Sequence, residues 1–138
     1  MGEKVHVVAA IIERDGRFLV GKRSPHKQSA PGYWCAVCGR IEAGESQADA
    51  VVREVHEEVG LSVQAVEKVA ECDTHDGSAL IHWWLAAPLD DSRAALLGDE
   101  HTELRWVTLE EMRALDPVFA EDVEIFAEMV ERRRVPRR

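Results

Sequence analysis

The chain predicts an α+β fold, a mixed β-sheet held between helices, on three observations. Strand-length runs of β-branched and apolar residues recur from position 5 to 109. One helix-like segment with start and stop signals follows the third of these runs. A second stretch of helical periodicity lies near the C-terminus, so strands dominate with helices interposed and appended.

Each element has a local reason. "VHVVAAII" (5–12) is β-branched and reads as a buried strand. "RDGR" (14–17) carries an Asp-Gly turn signal, and "FLVGKR" (18–23) returns as a second strand. "SPHKQSAPG" (24–32) is a polar, proline-bearing loop. "YWCAVCG" (33–39) is a short apolar strand ending at glycine, and "RIEAGE" (40–45) is a loop. Ser46 is an N-cap, with Asp49 placed to reciprocate as in a capping box. The helix runs to Val59, with Gly60 as its stop. "LSVQAVEKVAEC" (61–72) and "ALIHWWLAA" (79–87) are strands across a turn at "DTHDGS". A loop over 88–101 leads to a last strand within "ELRWVTL" (103–109). Residues 116–134 form a helix with Val118, Val123, Phe126, Met129 and Val130 near one face.

With 138 residues the chain reads as a single domain over 1–138. That length buries about two-thirds of the unfolded surface, enough to fold without a disulfide or structural metal. The net charge of −9 argues against sequence-independent binding to duplex nucleic acid. The Arg-rich end "RRRVPRR" reads as a solvated tail. An anionic ligand would need a positive mediator, most simply a divalent cation. No apolar run nears the roughly 20 residues of a membrane-spanning helix, and no signal-peptide pattern opens the chain. Three cysteines, an odd number, fit reduced thiols and a cytoplasmic protein.

The stretch "REVHEEVGL" (53–61) carries the chemistry. Glu54, Glu57 and Glu58 fall inside an arc of roughly 100° on a helix. Ala48, Val52, Val55 and Val59 are expected on its core face. Like charges at i, i+3 and i+4 repel, and no lysine follows to pair them, whereas Arg53 borders the arc. Clustered carboxylates suit hard cations such as Mg²⁺ or Mn²⁺, which also bridge to phosphate. The zinc-protease pattern H-E-x-x-H fails, because position 60 is glycine.

The wider frame "GRIEAGESQADAVVREVHEEVGL" (39–61) places Gly39, Glu45, Arg53, Glu54, aliphatic Val55, Glu57, Glu58, Gly60 and aliphatic Leu61 at set intervals. It resembles the Nudix box at every specified position, and the opening strands, Trp34 and "ELRWVTLEEM" (103–112) resemble further family features. The resemblance implies a Nudix-type α/β/α sandwich. It also implies hydrolysis of a nucleoside diphosphate linked to another moiety, by water attack at phosphorus with Mg²⁺ or Mn²⁺. Glu54, Glu57 and Glu58 would hold metal, joined by the carbonyl of Cys38. Glu45 would support the loop or the outer metal shell, and Arg53 would orient a glutamate. A general base could lie in the box or at Glu100 or Glu103, with Glu103 the first choice. Arg23 would contact phosphate, and Glu121 with Asp122 would lie where some relatives read a base edge. Trp83 and Trp84 face opposite ways on their strand, one to the core and one able to stack on a base; Trp106 is expected in the core.

Cys38 departs from the family's glycine there. "RSPHKQSAPGYW…CG" also resembles the isopentenyl-diphosphate isomerases, which use a cysteine at that position, with His6 near one of their metal histidines. Against them, Arg40 stands where they place another, and their box is degenerate. That isomerase chemistry and a non-catalytic nucleotide-binding module are the alternatives to hydrolysis. Cys35 and Cys38 form a C-x-x-C pair, but no second pair completes a zinc site, and small residues in a packed strand explain it. His75, His82 and His101 have no ligand-like spacing. A small-molecule nucleotide, by chain size a nucleoside triphosphate or an oxidised one, is the expected partner; a homodimer stays open.

Overall fold

The computed structural model describes residues 4–74 and 76–134, the last two without their side chains. His75 and positions 135–138 of the expected tail lie outside the described residues. Among the described residues, seven strands and three helices follow in order: β1 (Val5–Arg14), β2 (Arg17–Arg23), β3 (Trp34–Cys35), β4 (Val37–Arg40), α1 (Gln47–Val59), β5 (Val63–Asp73), β6 (Ala79–Pro88), β7 (His101–Val107), α2 (Leu109–Arg113) and α3 (Ala120–Arg134). No described helix is long and apolar enough to cross a membrane.

β1 is long enough to serve two sheets. Its middle pairs antiparallel with β4, from Val7↔Arg40 to Ala10↔Val37, and parallel with β6, from Val5↔Ala79 to Ile12↔Ala86. Its end, at Glu13 and Arg14, turns into the hairpin with β2. β5 lies outside β6, and β2 is flanked by β3 and β7, so the sheet is mixed. Alternation along β1 divides the apolar residues between two cores. Val8, Ala10 and Ile12 join Val51, Val55 and Val59 of α1. Ala9 and Ile11 face the opposite way, with Trp83 and with Phe126 and Met129 of α3. The result is an α+β sandwich with a mixed sheet between helices.

Several local expectations needed tertiary correction. The single strand over 33–39 is two, because Ala36 separates a segment paired with β2 from one paired with β1. On α1 the core face is Ala50, Val51, Val55 and Val59. Val52 is 38% exposed and Ala48 only half-buried, so the face is turned from the expected one. Ser46 does cap α1, accepting from the Asp49 N–H at 3.1 Å, and Gly60 closes it in the left-handed region at φ 74°. The reciprocal capping box forms instead at α2, between Thr108 and Glu111, a helix that was not expected. α3 starts at Ala120, later than 116, because the preceding segment bridges to β3: the Trp34 N–H donates to the Pro117 carbonyl at 3.0 Å. Its Val123, Phe126 and Met129 are buried, while Val118 and Val130 cover the core's margin. Trp106 is half-buried, with the Arg14 guanidinium 5.2 Å from its ring centroid.

Candidate active site

α1 lies across the β4 edge of the sheet, so its acidic side meets the 40–45 loop. Arg53 organises that junction. It donates from Nε and Nη2 to both oxygens of Glu45, at 2.7 and 2.9 Å, a bidentate pair. Nη1 reaches Glu54 at 2.9 Å and Glu57 at 3.2 Å, and Nη2 also reaches the Arg40 carbonyl at 2.9 Å. The guanidinium therefore sits among the box carboxylates and aligns three of them. Its hydrogen bonds, with help from the Glu42 N–H, hold the Glu45 carboxyl down to about 2. Glu54 is less settled: burial raises its carboxyl despite Arg53.

Gly39 has a steric reason to be glycine. A Cβ built there would fall within the Glu54 carboxyl group. The side chain of α1 is thus laid directly against the backbone of β4, a close approach that only glycine permits. Cys38 precedes it, and its side chain packs against the core on the α3 side.

A second group converges from far along the chain. The loop before β7 is stitched to the end of α1, since the Ala95 and Leu97 N–H groups donate to Val59 and Glu58 carbonyls at 3.0 and 3.2 Å. Gly98 lies beside the Glu58 carboxylate. The same loop ends at Glu100, whose carboxylate pairs with Lys27. Burial first, then the charges of Glu100 and Glu54, push Glu58 up to about 7, with Lys27 opposing. Glu54 feels Glu100 as well. Four carboxylates, Glu54, Glu57, Glu58 and Glu100, thus share one electrostatic neighbourhood.

Other expected residues fall elsewhere. Glu103, the first choice for a base, pairs with Arg105 at 2.7 Å on β7, and Glu100 takes its place beside the box. Trp83 is 1% exposed and belongs to the core beneath the sheet, where no ligand can stack on it. Trp84 faces the other way, half-buried against the core beneath α1, its indole N–H bonded to Gln47 at 3.0 Å. Trp34 is also buried, with the Arg105 guanidinium 4.8 Å from its ring centroid. Glu121 is exposed, and its neighbour Asp122 is the one turned inward, raised to about 6 by burial and by Glu121. Arg23 donates from Nε to the Ser29 carbonyl at 3.0 Å and lies against Cys35 and Cys38. Of these two thiols, the Cys35–Cys38 hydrogen bond and burial raise Cys35 well up, while that bond and Arg23 lower Cys38. His82 is buried, bonded to His6 and Lys68 at 2.9 Å each, and His101 packs over Gly21; both serve structure. Lys27 and the Gly39–Glu54 contact were missed. A lone lysine in a polar loop carries no signal, whereas a glycine opening an acidic frame could have suggested close packing.

Among the described residues, no three His, Cys, Asp or Glu side chains already converge as a metal-ligand set.

An α+β sandwich with an Arg-ordered carboxylate helix laid on a glycine at the sheet edge is what the resemblance of the 39–61 frame implies for a class of phosphoanhydride hydrolases. The chain belongs to that class as a Nudix hydrolase: the NUDIX domain family model matches residues 2–129. It is similar to the CTP pyrophosphohydrolase of Escherichia coli (strain K12), 38% identical over 107 residues that cover 78% of each chain. The solution structure of the E. coli ORF135 protein is 31% identical, with a TM-score of 0.74 over 99% of this chain and 96% of that one. A MutT protein from Methanosarcina mazei Go1 has the same fold, with a TM-score of 0.82 at 23% identity, over 98% and 100% of the two chains.

Proposed function

We propose that this hydrolase cleaves a nucleoside triphosphate to the monophosphate and pyrophosphate, with a Mg²⁺ or Mn²⁺ ion held by Glu54, Glu57 and Glu58. The observation that carries the reading is the loop ending at Glu100, which is hydrogen-bonded to the end of α1 and lies with Gly98 against the Glu58 carboxylate, so that acids from two distant segments stand side by side. The donor set fits a hard divalent cation, and the glycine at 39 leaves Glu54 room at the sheet edge, where the Cys38 carbonyl would add a ligand. The cation supplies charge neutralisation of the phosphates and a more acidic water.

The chain's own groups do the rest. Arg53 holds Glu54 and Glu57 in place without touching substrate. Glu100 takes the proton of the attacking water, standing beside Glu58 at the end of a loop fastened to α1. Arg23, next to the 24–32 loop, binds a phosphate oxygen, and Asp122 rather than Glu121 faces the base. The triphosphate assignment is supported by a relative named as a CTP pyrophosphohydrolase, matched over 78% of this chain. The cysteine-dependent isomerisation has less support, because the Cys38 side chain packs toward the α3 core.

The test is a panel of canonical and oxidised nucleoside triphosphates, nucleoside diphosphate sugars and a prenyl diphosphate, each with Mg²⁺. Pyrophosphate release from a triphosphate is expected. Turnover of only diphosphate-linked substrates would overturn the substrate class, and allylic isomerisation would overturn hydrolysis.

A further inference from the structure

The acidic site is served by two cations that are held very differently. Arg53 is locked by hydrogen bonds to Glu45, Glu54, Glu57 and the Arg40 carbonyl. It cannot move without stranding several carboxylates. Among the described residues the Lys27 ammonium has one ion-pair partner, the Glu100 carboxylate, although an ammonium carries three donors. Its backbone, by contrast, is fixed. The Lys27 N–H donates to the Ser24 carbonyl at 3.2 Å, and the Ser24 N–H donates to the Glu100 carbonyl at 2.9 Å. The Ser24 hydroxyl, in a residue 2% exposed, donates to the Asp99 carbonyl. The turn that carries Lys27 is therefore clasped to the segment that carries Glu100. The long stem can redirect its charge while its root stays beside the site.

We propose that Lys27 is a substrate-binding residue whose ammonium rests on Glu100 in the free protein and passes to a phosphate oxygen when a divalent cation held by Glu54, Glu57 and Glu58 arrives beside Glu100. The inference rests on the hydrolase reading above. A dication held by Glu54, Glu57 and Glu58, next to Glu100, repels the ammonium and weakens its hold on the Glu100 carboxylate. A polyphosphate bridged to that dication offers the ammonium a new anion within reach of the same stem. The exchange keeps the local charge balanced in both states, and it makes Lys27 a competitor of the metal alone but an ally of the metal–polyphosphate complex.

That double role gives opposite signs in two measurements. By calorimetric titration, Lys27→Met should bind Mn²⁺ alone ~3–10-fold more tightly than the parent, because a competing cation is gone. The same variant should bind inorganic tripolyphosphate in saturating Mg²⁺ ~10-fold more weakly, because one charge-assisted hydrogen bond is lost. Lys27→Arg should restore tripolyphosphate binding to within ~3-fold. Lys27→Gln repeats the first variant with a polar side chain, so that a folding fault in one does not decide the result. Parallel weakening of both affinities in Lys27→Met and Lys27→Gln would mean a purely structural clasp and would overturn the exchange. Unchanged tripolyphosphate binding would overturn it too. A parent protein that binds neither Mn²⁺ nor Mg²⁺–tripolyphosphate would instead sink the hydrolase reading, and this inference with it.

Discussion

The Arg53 side of the acidic cluster and the Glu58–Glu100 side hold the same kind of charge in opposite conditions. Around Arg53 every contact is local, from Arg40 to Glu57, and a rigid fork of donors keeps Glu45 ionised down to about 2. On the other side Glu58 and Glu100 meet across the fold with a single flexible lysine between them and the loop, and Glu58 rises to about 7. Crowding of carboxylates is therefore not strain in itself. Glu45, gripped through both oxygens by the guanidinium, is held down, whereas burial raises Glu54 in spite of Arg53 and raises Glu58 together with the neighbouring carboxylates. The unrelieved side is the one with most to gain from an added cation.

The comparison breaks most severely if a box carboxylate proves dispensable. Glu57→Gln should lower kcat by at least ~100-fold while the fold persists, because it removes charge from the site and no core contact. Near-full turnover of the folded variant with Mg²⁺ would remove this helix from the chemistry.

The next largest effect separates the two distant acids. Glu100→Gln should cost ~10-fold or more in kcat, whereas Glu103→Gln, whose carboxylate is paired with Arg105 on β7, should stay within ~3-fold of the parent. Steady-state rates across pH would expose the reverse ranking, which would return the base to Glu103.

Thermal melts sharpen the contrast between the two sides. Glu45 is depressed, so its contribution is present above the unfolded carboxylate range and is lost as pH falls through about 2. Glu45→Gln should therefore lower Tm at neutral pH. Glu58 is raised, so its contribution is full below the unfolded range near 4.5 and is lost as pH rises through about 7. Glu58→Gln should raise the metal-free Tm at pH 8 and change it little at pH 5. Millimolar Mn²⁺ should raise the parent's Tm more at pH 8 than at pH 5, because protons compete for the carboxylates. Shifts of the same sign in both variants would show that the two sides do not differ.

The smallest effect on stability is expected at the contact between them. In Gly39→Ala the new methyl displaces the Glu54 carboxyl, the far end of a flexible side chain, so the protein should fold with Tm within a few degrees of the parent. Its Mn²⁺-induced gain in Tm should nevertheless shrink by more than half. A full metal response in this variant would mean that Glu54 does not need the sheet edge.

Much of this was written locally. The β-branched apolar run in residues 5–12 placed β1, Ser46 and Gly60 bounded α1, and the frame from Gly39 to Leu61 carried Glu45, Arg53, Glu54, Glu57 and Glu58 onto one stretch of loop and helix. These succeed because capping, β-branched runs and i, i+3, i+4 spacing act over a turn or two of chain. Tertiary structure decided the rest. Periodicity sets the spacing of α1's side chains but not its rotation against the sheet, so Ala50 and Val51 were buried and Val52 was not. One apolar run became β3 and β4 because its halves found different partners. Glu100 rather than Glu103 reached the box, and Lys27 met Glu100, a residue 73 positions away. Which carboxylate is left without a cation depends on the summed field of neighbours brought together by folding, and no local pattern encodes that sum.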